Sequence, residues 1–450
     1  MTRLAALCLG LFVLGACDAA GPSEPPDPPI DAELRRLIGQ WGIVPIAPMP
    51  AQPAAQVELG RALVFDKILS GNRDISCATC HDPHFHGGDG LSLAIGTGGT
   101  GSGASRALGP GRQFVPRNAP SLLNQGLGGF YHFWDGRVSG HGSGPFDTPA
   151  GPALPPGLPR LLAAQAMFPV LNRTEMRGEK GDVDVFGDPN ELAQFDDSQM
   201  VDIWRAVMAR LLAFPEYQTL FAAAFPNVHR SSLGFQHAAT AIAAFQMHGL
   251  TRTNSPFDRY LARDAAALPA AAKRGAVLFF GDAGCVSCHN GPFLGGQSFT
   301  NIGAPQLGPG VGEGAPLDFG FGEVIDQPFY RFAFRVAPLR NVELTAPYFH
   351  NGAYATLEAV VRHYSDVPVA LQTYDVSQLA PALRDQYHGD AATIDAVLQH
   401  LDFRVRQPLD LTDEEVSDLV SFLESLTDPA ARDLSALIPA RVPSGLPVQP

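Results

Sequence analysis

Two short stretches hold four of the chain's six cysteines, each followed at once by a histidine: Cys77-Ala78-Thr79-Cys80-His81 and Cys285-Val286-Ser287-Cys288-His289. A Cys-x-x-Cys-His run puts two thiols one turn apart, where each can form a thioether to a haem vinyl group. The next residue, His, then reaches the iron as proximal ligand. One such run alone would also suit a redox dithiol or half of a zinc site. Two of them predict two covalently bound haem c groups, with His81 and His289 as the iron ligands. A zinc reading needs another arrangement for four thiols and two histidines.

The other two cysteines have separate fates. Arg3 is the only charge before an apolar run from Leu4 to Ala16, which is too short to span a bilayer and reads as an export signal. It ends in Leu14-Gly15-Ala16-Cys17 and resembles a bacterial lipoprotein signal. Cys8 would leave with residues 1–16, and Cys17 would carry the lipid anchor; the competing reading is an ordinary signal peptide with Cys17 incidental. Asp18 beside it would favour retention at the inner membrane, and 18–31 reads as a flexible tether. The expected setting is the bacterial cell envelope, on the periplasmic side, with the membrane engaged through lipid only. No structural disulfide is needed there, although that compartment would permit one.

Similar surroundings precede each motif. Glu58-Leu59-Gly60-Arg61-Ala62-Leu63-Val64-Phe65-Asp66 leads to the first, and Ala272-Lys273-Arg274-Gly275-Ala276-Val277-Leu278-Phe279-Phe280 to the second. Both read as short amphipathic helices, and together they suggest a loose duplication. Helices are also expected over 202–225, broken near Pro215, over 235–248, and over 412–426, where Thr412-x-x-Glu415 forms a capping box. The fold class is therefore mainly α, with two cytochrome c-like haem lobes packed together and joined by long ordered loops. Segments 92–114 and 139–160 read as loops, and 429–450 as a loose tail with an amphipathic stretch too short to assign. The divisions are signal 1–16, tether and N-terminal segment 17–54, first haem lobe 55–255, second haem lobe 256–428 and tail 429–450. The hydrophobic share of 45% allows a sizeable core, and the formal net charge of −14 argues against a nucleic-acid partner.

Further motifs carry a family likeness. Arg117-Asn118-Ala119-Pro120-Ser121-Leu122-Leu123-Asn124 is followed by Phe133-Trp134-Asp135-Gly136-Arg137, then by Gln165 and Asn172-x-x-Glu175-Met176. The second half has Pro338-Leu339-Arg340-Asn341-Val342, Leu344-Thr345-Ala346-Pro347-Tyr348-Phe349-His350-Asn351-Gly352, Leu357-Glu358-Ala359-Val360 and Tyr364. From about residue 55 to 426 the chain resembles the bacterial dihaem cytochrome c peroxidases and the related MauG-type enzymes.

That resemblance implies a peroxidase in which the N-terminal haem meets hydrogen peroxide, by high-valent iron chemistry, and the C-terminal haem relays electrons. The donor would be a small cytochrome c or cupredoxin, or else an oxidised substrate protein, as in MauG-type enzymes. The resemblance makes Glu175 the distal acid/base, Gln165 a hydrogen-bonding partner for peroxide, and Trp134 the residue between the haems. Taken singly, Glu175 reads as a capping or solvent-facing carboxylate and Trp134 as packing. Tyr364 stands fourteen residues after His350, where the peroxidases usually place methionine and MauG-type proteins tyrosine, which makes it the second ligand of the second iron. By composition alone, the neighbouring His363 is the better ligand. His350 becomes a hydrogen-bonding partner near the haems. Asn118, Thr345 and Pro347 match positions around an inter-haem calcium.

This sequence departs from the peroxidases at Ile95-Gly96-Thr97, where they often carry a removable histidine ligand in place of Thr97. The first haem would then be open without a reductive switch; His84 and His86 are the nearby alternatives. The stretch between Trp134 and Gln165 is longer than the compact family pattern. A non-enzymatic electron carrier and a ligand-sensing module are the competing functions.

Overall fold

Residues 28–448 are described by a computed structural model. The export signal, Cys17 and most of the tether lie outside them. The architecture is mainly α, as expected, with two apolar cores built the same way.

In the first lobe, the Ala54–Phe65 helix crosses the Phe235–Gly249 helix. Leu59 and Leu63 are wholly buried there against a face rich in small residues, among them Ala238 and Ala241. Small side chains let the backbones close in, and Gly60 lies at the crossing: a Cβ on it would sit 1.9 Å from the Ala241 carbonyl oxygen. In the second lobe, Ala270–Phe280 crosses Asp413–Glu424. Gly275 takes the corresponding place, and its Cβ would lie 1.9 Å from the Asp418 carbonyl oxygen. The repeat seen in the sequence is thus a repeated helix crossing with a glycine at its centre. Gly275→Ala forces that pair apart and is expected to cost roughly 1–3 kcal/mol, read as a lower urea midpoint of the haem-loaded protein.

The closing helix begins as its sequence announces. Thr412 Oγ1 accepts from the Glu415 amide, and the Glu415 carboxylate accepts from the Thr412 amide at 2.9 Å. Pro215 opens a new helix after the Met200–Leu212 helix has ended. No helix among the described residues is long and apolar enough to cross a membrane.

Three sequence expectations need correction. The end of the tether is structured: Pro29–Gln40 is a helix packed on the second lobe, where buried Asp31 pairs with Lys273 at 2.8 Å and Trp41 donates to the Phe280 carbonyl. The tail is not loose either. From the second lobe it returns across the first, burying Ala431 and Val442. Arg61 donates to the Leu437 carbonyl at 2.9 Å, and Ser444 donates to Asp66 at 2.6 Å. Irregularly spaced apolar residues hold it, so no period announced the packing. Finally, the long stretch after Trp134 is not all loop. Val138–Gly140 pairs antiparallel with Tyr131–His132 on one side and Phe146–Asp147 on the other. Strands this short leave no alternation to read.

Candidate active site

Each attachment motif begins as one tight turn. Ser76 and Thr79 cap each other around Cys77–Cys80, and the His81 amide closes back on the Cys77 carbonyl at 2.9 Å. In the second motif the His289 amide does the same to Cys285, also at 2.9 Å. The two histidines are held alike. His81 Nδ1 lies 3.0 Å from the Gly87 carbonyl oxygen, and His289 Nδ1 lies 3.1 Å from that of Leu294. A carbonyl can only accept, so Nδ1 carries the proton and Nε2 keeps its lone pair, as a proximal iron ligand requires. Burial lowers both pKa values, that of His289 to about 4, which keeps the rings neutral. All four cysteines are free of disulfides. Among the described residues, no three His, Cys, Asp or Glu side chains converge as a metal-binding group.

On the first lobe, Glu175 lies in a short π-type turn, Arg173–Arg177, capped by the Asn172 side chain. Its half-buried carboxyl has no hydrogen-bond or ion-pair partner in the described protein, and its charge reaches the Cys77 and Cys80 thiols. Burial raises its pKa to about 7, with the Arg137 charge pulling it partly back. The Thr97 amide donates to the Glu175 carbonyl at 2.9 Å, so the Ile95-Gly96-Thr97 stretch lies directly against this turn. Gly96 permits the approach, since a Cβ would meet the Thr174 carbonyl oxygen at 2.0 Å. The Thr97 hydroxyl is committed to Asp74 at 2.7 Å. His84 bonds Asp82 at 2.9 Å, and His86 bonds the Ala431 carbonyl at 3.0 Å, so both are engaged as loop residues. Gln165 ends the Leu161–Gln165 helix, half-buried, with its side-chain amide unpartnered among the described residues.

The second motif opens onto a predominantly apolar cavity. Cys285, Cys288 and His289 line it together with Tyr364, and its walls also take in Trp134, Asn118 and His350. Tyr364 lies on the Leu357–Ser365 helix, and its hydroxyl has no hydrogen-bond partner in the described protein. Burial, and then the Cys288 and Cys285 thiols, push its pKa far above the usual tyrosine value. His363 is differently placed: Nδ1 bonds the Tyr354 hydroxyl at 2.8 Å and Nε2 bonds the Ile302 carbonyl at 2.7 Å. Both of its ring nitrogens are therefore already used. An apolar cavity with two thiols, one imidazole offering Nε2 and one unpartnered phenol fits a covalently held haem.

Between the lobes lies a polar bridge. Arg117 grips Asp318 with two bonds, of 2.6 and 2.8 Å, and Asp135 with a third of 2.5 Å, while Arg137 also pairs with Asp135. The Trp134 indole donates to the Asn118 carbonyl at 3.0 Å, and the Asn118 amide donates to the His350 carbonyl at 2.8 Å. His350 stacks on Phe334 with ring centres 3.4 Å apart, and burial pushes its pKa down to about 3, so it is neutral. Asn118 Nδ2 donates to the Leu91 carbonyl at 2.7 Å, which leaves its Oδ1 available. Thr345 and Pro347 line the same cavity, and their carbonyls accept no backbone hydrogen bond. Such neutral oxygens are of the kind a hard cation takes. Sequence reasoning picked out Arg117, Asp135 and Arg137 only as parts of motifs, and it missed Asp318, because the ion pair joins residues 201 positions apart.

A family model described as di-haem cytochrome c peroxidase matches residues 54–266. Over 435 residues the chain is 29% identical to the methylamine utilization protein MauG of Methylorubrum extorquens, covering 96% of this chain and 95% of that one. It is 32% identical to the cytochrome c551 peroxidase of Pseudomonas aeruginosa, over 74% of this chain and 75% of that one. A solved MauG-like protein associated with microbial copper homeostasis superposes with a TM-score of 0.58 at 27% identity, covering 87% of this chain and 95% of that one. The chain belongs to the bacterial dihaem cytochrome c peroxidase and MauG family. It is a peroxidase-type oxidoreductase with two covalently attached c-type haems.

Proposed function

We propose that peroxide reacts in the first lobe, beside Glu175, and that the second lobe passes in the electrons. The observation that carries this division is the contrast between the two sites. The first has an unpartnered carboxyl titrating near neutrality, and Thr97, its hydroxyl bonded to Asp74, stands where the peroxidases often carry a removable histidine ligand, while His84 and His86 are tied through Nδ1 to Asp82 and the Ala431 carbonyl. The second has an unpartnered phenol in the cavity with His289. When bound, the haems would supply the two electrons that O–O cleavage takes up. The chain supplies the proton traffic. A Glu175 oxygen takes the proton from the oxygen that binds and returns it to the one that leaves, while the Gln165 amide orients the peroxide by hydrogen bonding. His81 and His289 would hold the irons, and Tyr364 would serve as a further ligand in the second lobe. Trp134, held at Asn118, lies on the way between the lobes. His350 keeps the cavity wall in place as a neutral partner, and Asn118, Thr345 and Pro347 would offer oxygens to a calcium ion.

The overall reaction takes one hydrogen peroxide, two electrons and two protons to two waters. A small cytochrome c or cupredoxin is the electron source. A second reading, in which the electrons come from residues of a partner protein that is thereby modified, is favoured by Thr97 and Tyr364 together. The Leu14–Cys17 stretch supports export to the periplasm and anchoring by lipid at Cys17. The direct test mixes the haem-loaded protein with peroxide and a reduced small cytochrome c. Two donors oxidised per peroxide consumed is the expected stoichiometry; no donor oxidation with any redox protein tried, but covalent change in a partner, favours the second reading.

A further inference from the structure

Six arginines are buried among the described residues, and five are accounted for. Arg117, Arg177, Arg210 and Arg340 each pair with a carboxylate. Arg106 donates to three backbone carbonyls, those of Ile95, Gly96 and Gly101. Arg335 is the exception. Arg335 is 7% exposed, yet among the described residues its side chain makes one hydrogen bond, from Nε to the Phe133 carbonyl at 3.2 Å, and has no acidic partner. Its charge is felt by another base, buried His132, whose ring has no hydrogen-bond partner in the described protein.

A cation buried without a counter-charge is strongly disfavoured, because water no longer solvates it. Burial alone lowers the Arg335 pKa to about 10, so it stays charged at neutral pH, while His132 is pushed down to about 3 and stays neutral. Among the described residues no carboxylate supplies the missing negative charge. Arg335 lines the cavity that also holds Cys285, Cys288 and His289. The group fixed there by two thioethers carries two carboxylates of its own.

We infer that Arg335 is the counter-charge to a propionate carboxylate of the haem attached at Cys285 and Cys288. It is a positioning residue: it steers that haem's polar edge toward Trp134, whose carbonyl accepts from the Arg335 amide at 2.8 Å, and it sets the haem's electrostatic surroundings. The planar fork of a guanidinium suits a carboxylate, and pairing offsets the desolvation of both groups. The inference rests on haem attachment in the second lobe and not on which haem meets peroxide.

The test uses the full, haem-loaded chain, with two haems per chain verified by mass so that loss of the cofactor is told apart from loss of its partner. Ferric haem carries one more positive charge than ferrous, so a nearby cation favours reduction. Arg335→Gln should lower the midpoint potential of the second haem and leave that of the first unchanged. Arg335→Lys, which keeps the charge but not the fork, should hold the potential near that of the parent while shifting the propionate carboxylate bands in redox-difference infrared spectra. An unchanged second-haem potential in Arg335→Gln, or unchanged carboxylate bands in Arg335→Lys, overturns the inference. So does a potential of the parent protein that saturates with added inorganic phosphate only when Arg335 is present, since that identifies a free anion as the partner.

Discussion

Glu175→Gln is expected to slow the reaction with hydrogen peroxide by about 10²–10⁴-fold while leaving both haems attached. The glutamine keeps the shape of the side chain but can neither take the peroxide proton nor return it. The pH profile gives an independent signature. Burial raises the Glu175 pKa to about 7, so the active base form predominates above that pH. The rate should level off above pH 7 and fall by about tenfold per unit well below it. Arg137 lowers this pKa, so Arg137→Ala should move the inflection to higher pH, and Glu175→Gln should abolish it. Stopped-flow mixing with peroxide across pH 5 to 9 checks the parent and both variants. A Glu175→Gln protein with the parent rate and the parent inflection removes Glu175 from the proton path.

Tyr364→Met should have its large effect at the other haem. A phenolate favours oxidised iron and a thioether favours reduced iron. Axial ligands move haem potentials by hundreds of millivolts, so a rise on the order of 100 mV or more in the second haem is expected, with the first little changed. His363→Ala should not imitate it, because both ring nitrogens of His363 already bond elsewhere, to Tyr354 and Ile302. That variant should cost stability and leave the ligand spectrum intact. An unchanged second-haem spectrum in Tyr364→Met, or loss of the ligand in His363→Ala, reverses the two roles.

What could be read from the residues alone was whatever is local or repeats. The attachment motifs are five residues long, the closing helix advertises its cap at Thr412 and Glu415, and the helix crossings recur at Gly60 and Gly275. Register with His350 favoured Tyr364 over His363 by family likeness, whereas the bonds that occupy both His363 nitrogens come from Tyr354 and distant Ile302 and gave no local signal. The tail was misjudged since Leu437, Ile438 and Val442 bury at irregular intervals against the other lobe. Arg335 gave no signal at all. Its interest lies in a carboxylate that is missing around it, and an unpaired charge is a property of the assembled fold. Asp318 was hidden for the complementary reason, since its partner Arg117 is 201 residues away.

The central claim is that the first haem is open to peroxide as folded, with Glu175 beside it and Thr97, bonded to Asp74, in the place of a histidine ligand. The most direct measurement is the visible and near-infrared spectrum of the fully oxidised, haem-loaded protein before and after one equivalent of hydrogen peroxide, with no reductant present. The account predicts a rapid spectral change that involves both haems and persists until electrons are supplied. A protein that ignores peroxide until its second haem has been reduced would contradict the open first site, and one that ignores it in both states would be an electron carrier.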